Sequence, residues 1–206
     1  MRRKLLREIA AEGITNERIL EAMFAVPRHF FFENAFLEKA YENTAFPIGE
    51  GQTISQPYTV AYQTQLLNPQ KVDKILEIGT GSGYQACILA EMGARVITIE
   101  RNRKLYEKAK KMIQLLGYHN LTLVFGDGYE GAPIYAPFDK ILVTAAAKKI
   151  PDKLFDQLKT GGIMVIPVGN DTAQTMLKIT KLSDTEYKEE TGQLFKFVPM
   201  IKGKVE

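Results

Sequence analysis

The sequence is poor in the residues that staple or metallate small proteins. It has one cysteine, Cys87, and two histidines, His29 and His119, and it lacks tryptophan. A single cysteine excludes an internal disulfide and fits a reducing compartment. No His-x-x-x-His or Cys-x-x-Cys spacing occurs, so the common zinc patterns are missing and no metal is expected. No apolar run approaches the ~18–20 residues of a membrane helix. Met1 to Lys4 begins like a signal peptide, but Arg7 and Glu8 follow Leu5 and Leu6 at once, so no apolar region develops. Charge of one sign is also scarce. Lys plus Arg total 27 against 24 for Asp plus Glu, a net +3 that drives neither nucleic-acid nor membrane binding. With 206 residues, 45% hydrophobic and 25% charged, the chain can bury a core of its own. These features predict a soluble, cytoplasmic, single-domain protein.

What is there divides into three stretches. The first, residues 1–70, is helical but irregular. Leu5, Leu6 and Ile9 share a helical face, Thr15 can cap a second helix carrying Ile19 to Phe24, and Pro57 suits the first turn of a helix to about Leu67. The second, residues 71–170, alternates regularly. Strands are predicted at Lys74–Ile78, Arg95–Glu100, Leu121–Phe125, Phe138–Val143 and Gly162–Val168. Helices lie between several of them, the longest ending at Gly117. Strand–helix–strand repetition implies a parallel sheet with helices on both faces. The third, residues 171–206, predicts strands at Met176–Lys181 and Gln193–Val198 joined by a polar loop, an antiparallel hairpin at the sheet edge.

The sharpest local signal is Glu77-Ile-Gly79-Thr-Gly81-Ser-Gly83 at a strand-to-helix junction. Glycines there permit a tight turn and close approach of a ligand to the backbone. Glu100 ends the next strand, where a carboxylate can accept both ribose hydroxyls. Asp127, inside Gly126-Asp-Gly128, ends the third and can accept from an adenine amino group. A dinucleotide would need room where Tyr84 stands, and Glu77 would repel its pyrophosphate. Glu77 suits a cationic ligand instead. The set resembles the Rossmann-like S-adenosylmethionine-dependent methyltransferases.

The acceptor leaves its own marks. Val143-Thr-Ala-Ala-Ala147 stands where base methyltransferases carry Asn-Pro-Pro-Tyr/Phe, and Cys87 falls in a helix as a small core residue. Pro47-Ile-Gly-x-Gly-Gln-Thr-Ile-Ser-Gln-Pro57, Leu76-Glu-Ile-Gly-Thr-Gly-Ser-Gly-Tyr-Gln-Ala86, Gly126-Asp-Gly-Tyr-Glu-Gly131, Pro137-Phe-Asp139 and Phe197-Val-Pro199 occur in that order, with Val26-Pro-Arg28 upstream. Together they resemble the protein-L-isoaspartate (D-aspartate) O-methyltransferase family over about Ile19 to Met200. Departures are modest: Glu50 stands where the family often has His, and His29 and Phe30 replace acidic residues.

The resemblance implies methyl transfer from S-adenosyl-L-methionine to the free α-carboxylate of isoaspartyl residues in aged proteins, which starts repair through a succinimide. It implies a doubly wound, mostly parallel sheet with an N-terminal helical segment and C-terminal antiparallel edge strands. Ser55 carries over as the active-site serine. Glu77, Gly79, Thr80, Gly81, Ser82, Gly83, Glu100, Arg101, Asp127, Gly128 and Thr144 carry over as cofactor contacts. Gln52, Thr53, Ile54 and Ser55 with Val198 and Pro199 are expected to line the peptide groove. An α-carboxyl, with an ordinary pKa near ~3.5, arrives ionised, so no general base is needed and none is evident. The basic run from Arg101 to Lys111 reads as a solvated helix face rather than a nucleic-acid stripe. The expected partners are damaged proteins and peptides, met by a monomer. Two alternatives stay open: another S-adenosylmethionine-dependent methyltransferase, and a non-catalytic module that binds damaged peptides.

Overall fold

The computed structural model describes the backbone of residues 1–206 and every side chain but that of Asn34. Helices α1 (Arg2–Ala11) and α2 (Glu17–Ala25) open the chain and bury Leu5, Ile9, Ile19 and Met23. The cap of α2 is Asn16, not Thr15: its side chain accepts the Arg18 N–H at 3.1 Å. The Thr15 N–H instead reaches Gln65 Oε1 at 3.0 Å. Two short 3-10 segments follow, Arg28–Phe31 and Asn34–Tyr41.

Next comes a hairpin within the glycine-containing stretch that leads to Pro57. Strands β1 (Phe46–Gly49) and β2 (Gln52–Ile54) pair antiparallel. Its tip runs through Gly49, Glu50 and Gly51 at φ 92°, 53° and 67°, a left-handed turn that needs the flanking glycines. Helix α3 (Pro57–Leu67) then starts on its proline, as expected.

The main sheet is built from β3 (Lys74–Ile78), β4 (Arg95–Glu100), β5 (Leu121–Phe125), β6 (Phe138–Val143), β7 (Leu158–Gly169), β8 (Gln174–Lys181) and β9 (Tyr187–Phe195). Helices α4 (Tyr84–Glu91), α5 (Arg103–Leu116) and α6 (Asp152–Asp156) connect parts of it. The spatial order is β5-β4-β3-β6-β7-β8-β9. The first five strands in that order run parallel, while β8 and β9 are antiparallel to their neighbours. This is the doubly wound sheet the sequence predicted.

Three strands differ from expectation in their bounds, β8 by starting two residues early at Gln174. Strand β7 begins at Leu158 rather than Gly162. The last strand is Tyr187–Phe195 rather than Gln193–Val198. It pairs only with β8 and is mostly exposed, so apolar alternation could not mark it, and Lys188, Glu189 and Glu190 suit an open edge. Phe197 and Pro199 lie past the strand. The Phe197 N–H donates to Gln174 Oε1 at 2.8 Å, and Pro199 bridges to Ala146.

The two faces of the sheet are covered unequally. One core unites Ile75, Val96, Leu142 and Val165 of the sheet with buried residues of α1 to α5. The N-terminal helices and the sheet therefore share a single core. The other face packs Leu76, Ile97, Ile141 and Met164 against little more than Leu154 of α6, a 3-10 turn at Pro133–Tyr135 and connecting loops. Helices thus lie on both faces, but almost all on one. Among the described residues, no helix is long and apolar enough to cross a membrane.

Candidate active site

After β3 the chain winds one way through β4 and β5, then returns to add β6 on the other side of β3. Such a reversal opens a crevice at the carboxyl ends of the two central strands. The glycine loop follows β3 and Thr144 follows β6. Gly79 has φ +95°, and a Cβ there would stand 2.6 Å from Thr144 Oγ1. The Thr144 hydroxyl donates toward Gly79 O at 2.7 Å, locking the loop to β6. The Gly79 and Thr80 N–H groups both donate to Ile99 O, at 3.0 and 3.1 Å, locking it to β4.

Most of the expected cofactor residues meet here. Gly79, Thr80, Gly81, Ser82, Glu100 and Arg101 line the crevice, as do Gly128 and Thr144. Glu100 is 5% exposed. Its two oxygens accept the Gly81 N–H at 2.8 Å and the Asn102 N–H at 2.9 Å, so it is fixed before any ligand arrives.

Three expected contacts lie outside the lining. Gly83 serves the backbone turn into α4, where φ is +90°, a conformation L side chains rarely adopt. Asp127 turns to the chain end. Its oxygens accept the Tyr129 N–H at 2.9 Å and the Gly203 N–H at 2.7 Å. Glu77 is wholly buried beneath the loop, because alternation along β3 points it at the helix-rich face beside Thr98. Its Oε2 accepts from the Thr98 hydroxyl and its Oε1 has no partner. Burial pushes its carboxyl up to about 8; the Thr98 bond works against this and the Glu100 charge with it. Thr98 Oγ1 lies 2.7 Å from Thr80 Oγ1, so Glu77 touches the crevice wall through two hydroxyls.

The structure adds wall residues that sequence reasoning missed. Tyr84 and Gln85 follow the glycine loop directly, and Asn102 follows Glu100, so their adjacency was the available signal. Met200 comes with the segment after Pro199, whose Arg101–Gly203 contact at 2.8 Å ties the chain end to β4. Glu50, at the hairpin tip, stood out in the sequence only as a departure from the family pattern. It pairs with Lys104 at 3.1 Å, which closes the tip onto α5 and takes up one member of the basic run. Another member, Arg103, lies 3.7 Å from the Phe125 ring centroid.

A second, more open groove adjoins the crevice between Tyr58 and Phe195, Lys196 and Phe197. Thr53, Ser55, Thr144 and Val198 line both. Gln52, Ile54 and Pro199 complete the expected acceptor set on the crevice side. Neither cavity is lined by a histidine or the cysteine. Among the described residues, no cluster of His, Cys, Asp and Glu could hold a metal ion.

A doubly wound sheet with this loop at its switch point, an acid closing the second strand and an antiparallel far edge defines a Rossmann-like S-adenosylmethionine-dependent methyltransferase. The main-chain cradle at Gly79 and the fixed Glu100 suit an adenosine-bearing cofactor. The model of the protein-L-isoaspartate(D-aspartate) O-methyltransferase family matches residues 1–205, and the chain belongs to that family. A protein-L-isoaspartate O-methyltransferase of Cytophaga hutchinsonii is 53% identical over 201 residues, covering 98% of this chain and 90% of the relative. A solved protein-L-isoaspartate O-methyltransferase superposes with TM-score 0.88 at 30% identity; the match covers 97% of this chain and 65% of that one. A second, a putative enzyme of the same name from Plasmodium falciparum in complex with S-adenosyl-L-homocysteine, gives TM-score 0.84 at 26% identity and covers 97% of both chains. The chain is an S-adenosylmethionine-dependent protein carboxyl methyltransferase of the isoaspartyl repair family.

Proposed function

We propose that the chain methylates the free α-carboxylate of L-isoaspartyl residues in aged proteins, and that Ser55 aligns that carboxylate. The observation that carries this reading is the position of Ser55 on the line where the enclosed crevice meets the open groove. A peptide in the groove and a cofactor in the crevice can meet only along that line.

When bound, S-adenosyl-L-methionine supplies a methyl group activated on a sulfonium. Gly79, Thr80, Gly81, Ser82, Glu100, Arg101, Gly128 and Thr144 would hold it from the crevice wall. Gly83 and Glu77 would act from behind that wall, Glu77 through Thr98 and Thr80, and Asp127 from beneath the chain end. The acceptor arrives ionised, so the protein has no proton to remove, and the lack of a histidine beside Ser55 is no handicap. What it must supply is alignment, worth up to roughly 7–11 kcal/mol in favourable cases. Ser55 does this by donating its hydroxyl hydrogen to one carboxylate oxygen.

Thr53 on one side and Val198 on the other would border the bound segment with main-chain groups, with Gln52, Ile54 and Pro199 just inside the crevice. Such a groove accepts many flanking sequences. The near-balanced charge favours no particular partner and suits a monomer in the cytoplasm with neither nucleic acid nor membrane as partner. The test is a synthetic isoaspartyl peptide beside its aspartyl twin, each incubated with methyl-labelled cofactor. Base-labile label in the isoaspartyl peptide alone is the expected result. Equal label in both, or in neither, overturns the reading.

A further inference from the structure

Arg28 heads the large side chains that are fully buried, with 1% of its surface exposed. Its Nη2 donates to the main-chain oxygen of Ser55 at 2.8 Å. Its Nε and Nη1 have no partner among the described residues. No carboxylate acts on it; the groups that do are Tyr84 and Tyr41, and burial lowers it to about 10, so it stays charged at neutral pH. The guanidinium lies 4.7 Å from the Tyr84 ring centroid and 5.5 Å from that of Phe32.

A buried cation without a counter-charge is a poor way to stabilise a fold. Two rings return part of its lost hydration, but an apolar side chain of the same volume would fill the space without that loss. What the arginine does, and an apolar residue could not, is join two walls. Tyr84 is the first residue of α4, directly after the glycine loop, and lines the cofactor crevice. Ser55 lines both cavities. The guanidinium bonds the serine's main chain and lies over the tyrosine ring. It therefore sets the serine at a fixed distance from the first turn of the cofactor helix.

We infer that Arg28 is a positioning residue for methyl transfer: it clamps the Ser55 segment against Tyr84 and so aims the serine hydroxyl. This rests on the role proposed above for Ser55. A misplacement of about 1 Å costs on the order of 100-fold in rate, so loss of the clamp is felt in turnover before it is felt in binding. Lysine keeps the charge and one donor but lacks the planar guanidinium, so it is a partial substitute.

The experiment compares wild type with Arg28→Met, Arg28→Lys, Ser55→Ala and the Ser55→Ala/Arg28→Met double variant. Each is measured for kcat on an isoaspartyl peptide and for S-adenosyl-L-homocysteine affinity by calorimetry. Expected are a fall in kcat of roughly 30- to 100-fold in Arg28→Met and about tenfold in Arg28→Lys, with affinity within about threefold of wild type. In the Ser55→Ala background, Arg28→Met is expected to cost less than about threefold more, because both changes remove the same alignment. Turnover near wild type in Arg28→Met overturns the inference, as do losses that multiply in the double variant or a parallel loss of cofactor affinity. If Arg28→Met does not fold, Arg28→Lys and its own double variant carry the same cycle. A fully active Ser55→Ala would defeat the reading of the serine itself. An impaired Ser55→Ala beside a normal Arg28→Lys and Arg28→Met would defeat only the clamp.

Discussion

On the proposed cofactor side of the site the holding contacts are short-range and gather main-chain N–H groups. Gly79 and Thr80 donate to the Ile99 carbonyl and Gly81 to the Glu100 carboxylate across adjacent strand ends, and Asn102 donates to the same carboxylate from two residues on. On the acceptor side they are side chains reaching from afar. Arg28 holds Ser55, and the Asn43 side chain accepts the Tyr58 N–H at 3.0 Å where α3 begins. The Tyr58 hydroxyl meets Gln193 at 3.1 Å across the groove. The first wall comes with the fold, because parallel strands of a doubly wound sheet always leave such ends. The second is assembled from separate pieces, and each piece can be lost alone.

The largest effect expected follows from filling the main-chain wall. Gly79→Val places a branched side chain at φ +95° and against Thr144. It should weaken S-adenosyl-L-homocysteine binding by roughly 100-fold or more, read by calorimetry on folded protein. Unchanged affinity would mean that the wall is not built on close approach. Next is Ser55→Ala on the other wall. It should lower kcat on an isoaspartyl peptide by roughly 10- to 100-fold and leave cofactor affinity within about threefold. Loss of both together would erase the division between the walls.

Glu100→Gln comes third. Two N–H groups converge on this carboxylate, and an amide offers only one acceptor oxygen, so one donor faces another. An unsatisfied donor costs about 1–3 kcal/mol, and about a tenfold loss of cofactor affinity with little change in kcat is expected. The smallest effect is at Glu77. Its carboxyl sits at about 8 in the folded chain against an ordinary 4.5. The folded state thus keeps a proton that the unfolded chain releases. Its contribution to stability is complete below the unfolded value and is lost as pH climbs toward 8. Glu77→Gln should remove that decline, so its melting temperature should gain on wild type by at least about 2–4 °C between pH 5 and pH 8. Parallel curves would show that Glu77 is ionised throughout.

The same division explains what could be read from the residues alone. Strands β3 to β6, α5 with its Gly117 stop, the glycine loop and Glu100 follow from periodicity and from spacing within short windows. So does Ser55, but only through a resemblance in its motif. Arg28 was visible in Val26-Pro-Arg28, yet nothing local says that it will turn inward to a carbonyl 27 positions away. Glu77 was read as facing the ligand because its charge suggested a cation. Its place in the strand pleat points it under the loop instead, where burial favours the neutral form. Strand β9 was placed too late because most of its residues are exposed and show no apolar pattern.

Asp127 and Gly128 form the one Asp-Gly pair in the chain, and no Asn-Gly pair occurs. Glycine's unhindered amide makes such a pair the easiest place for an aspartyl side chain to close on the backbone, the ageing reaction whose product this family repairs. The enzyme therefore carries that vulnerable sequence at the edge of its own cofactor site. Both oxygens of Asp127 are tied, one to Tyr129 and one to Gly203, so the side chain is not free to swing onto the Gly128 nitrogen. The contact that fastens the end of the chain thus also holds in place the one aspartyl side chain that precedes a glycine.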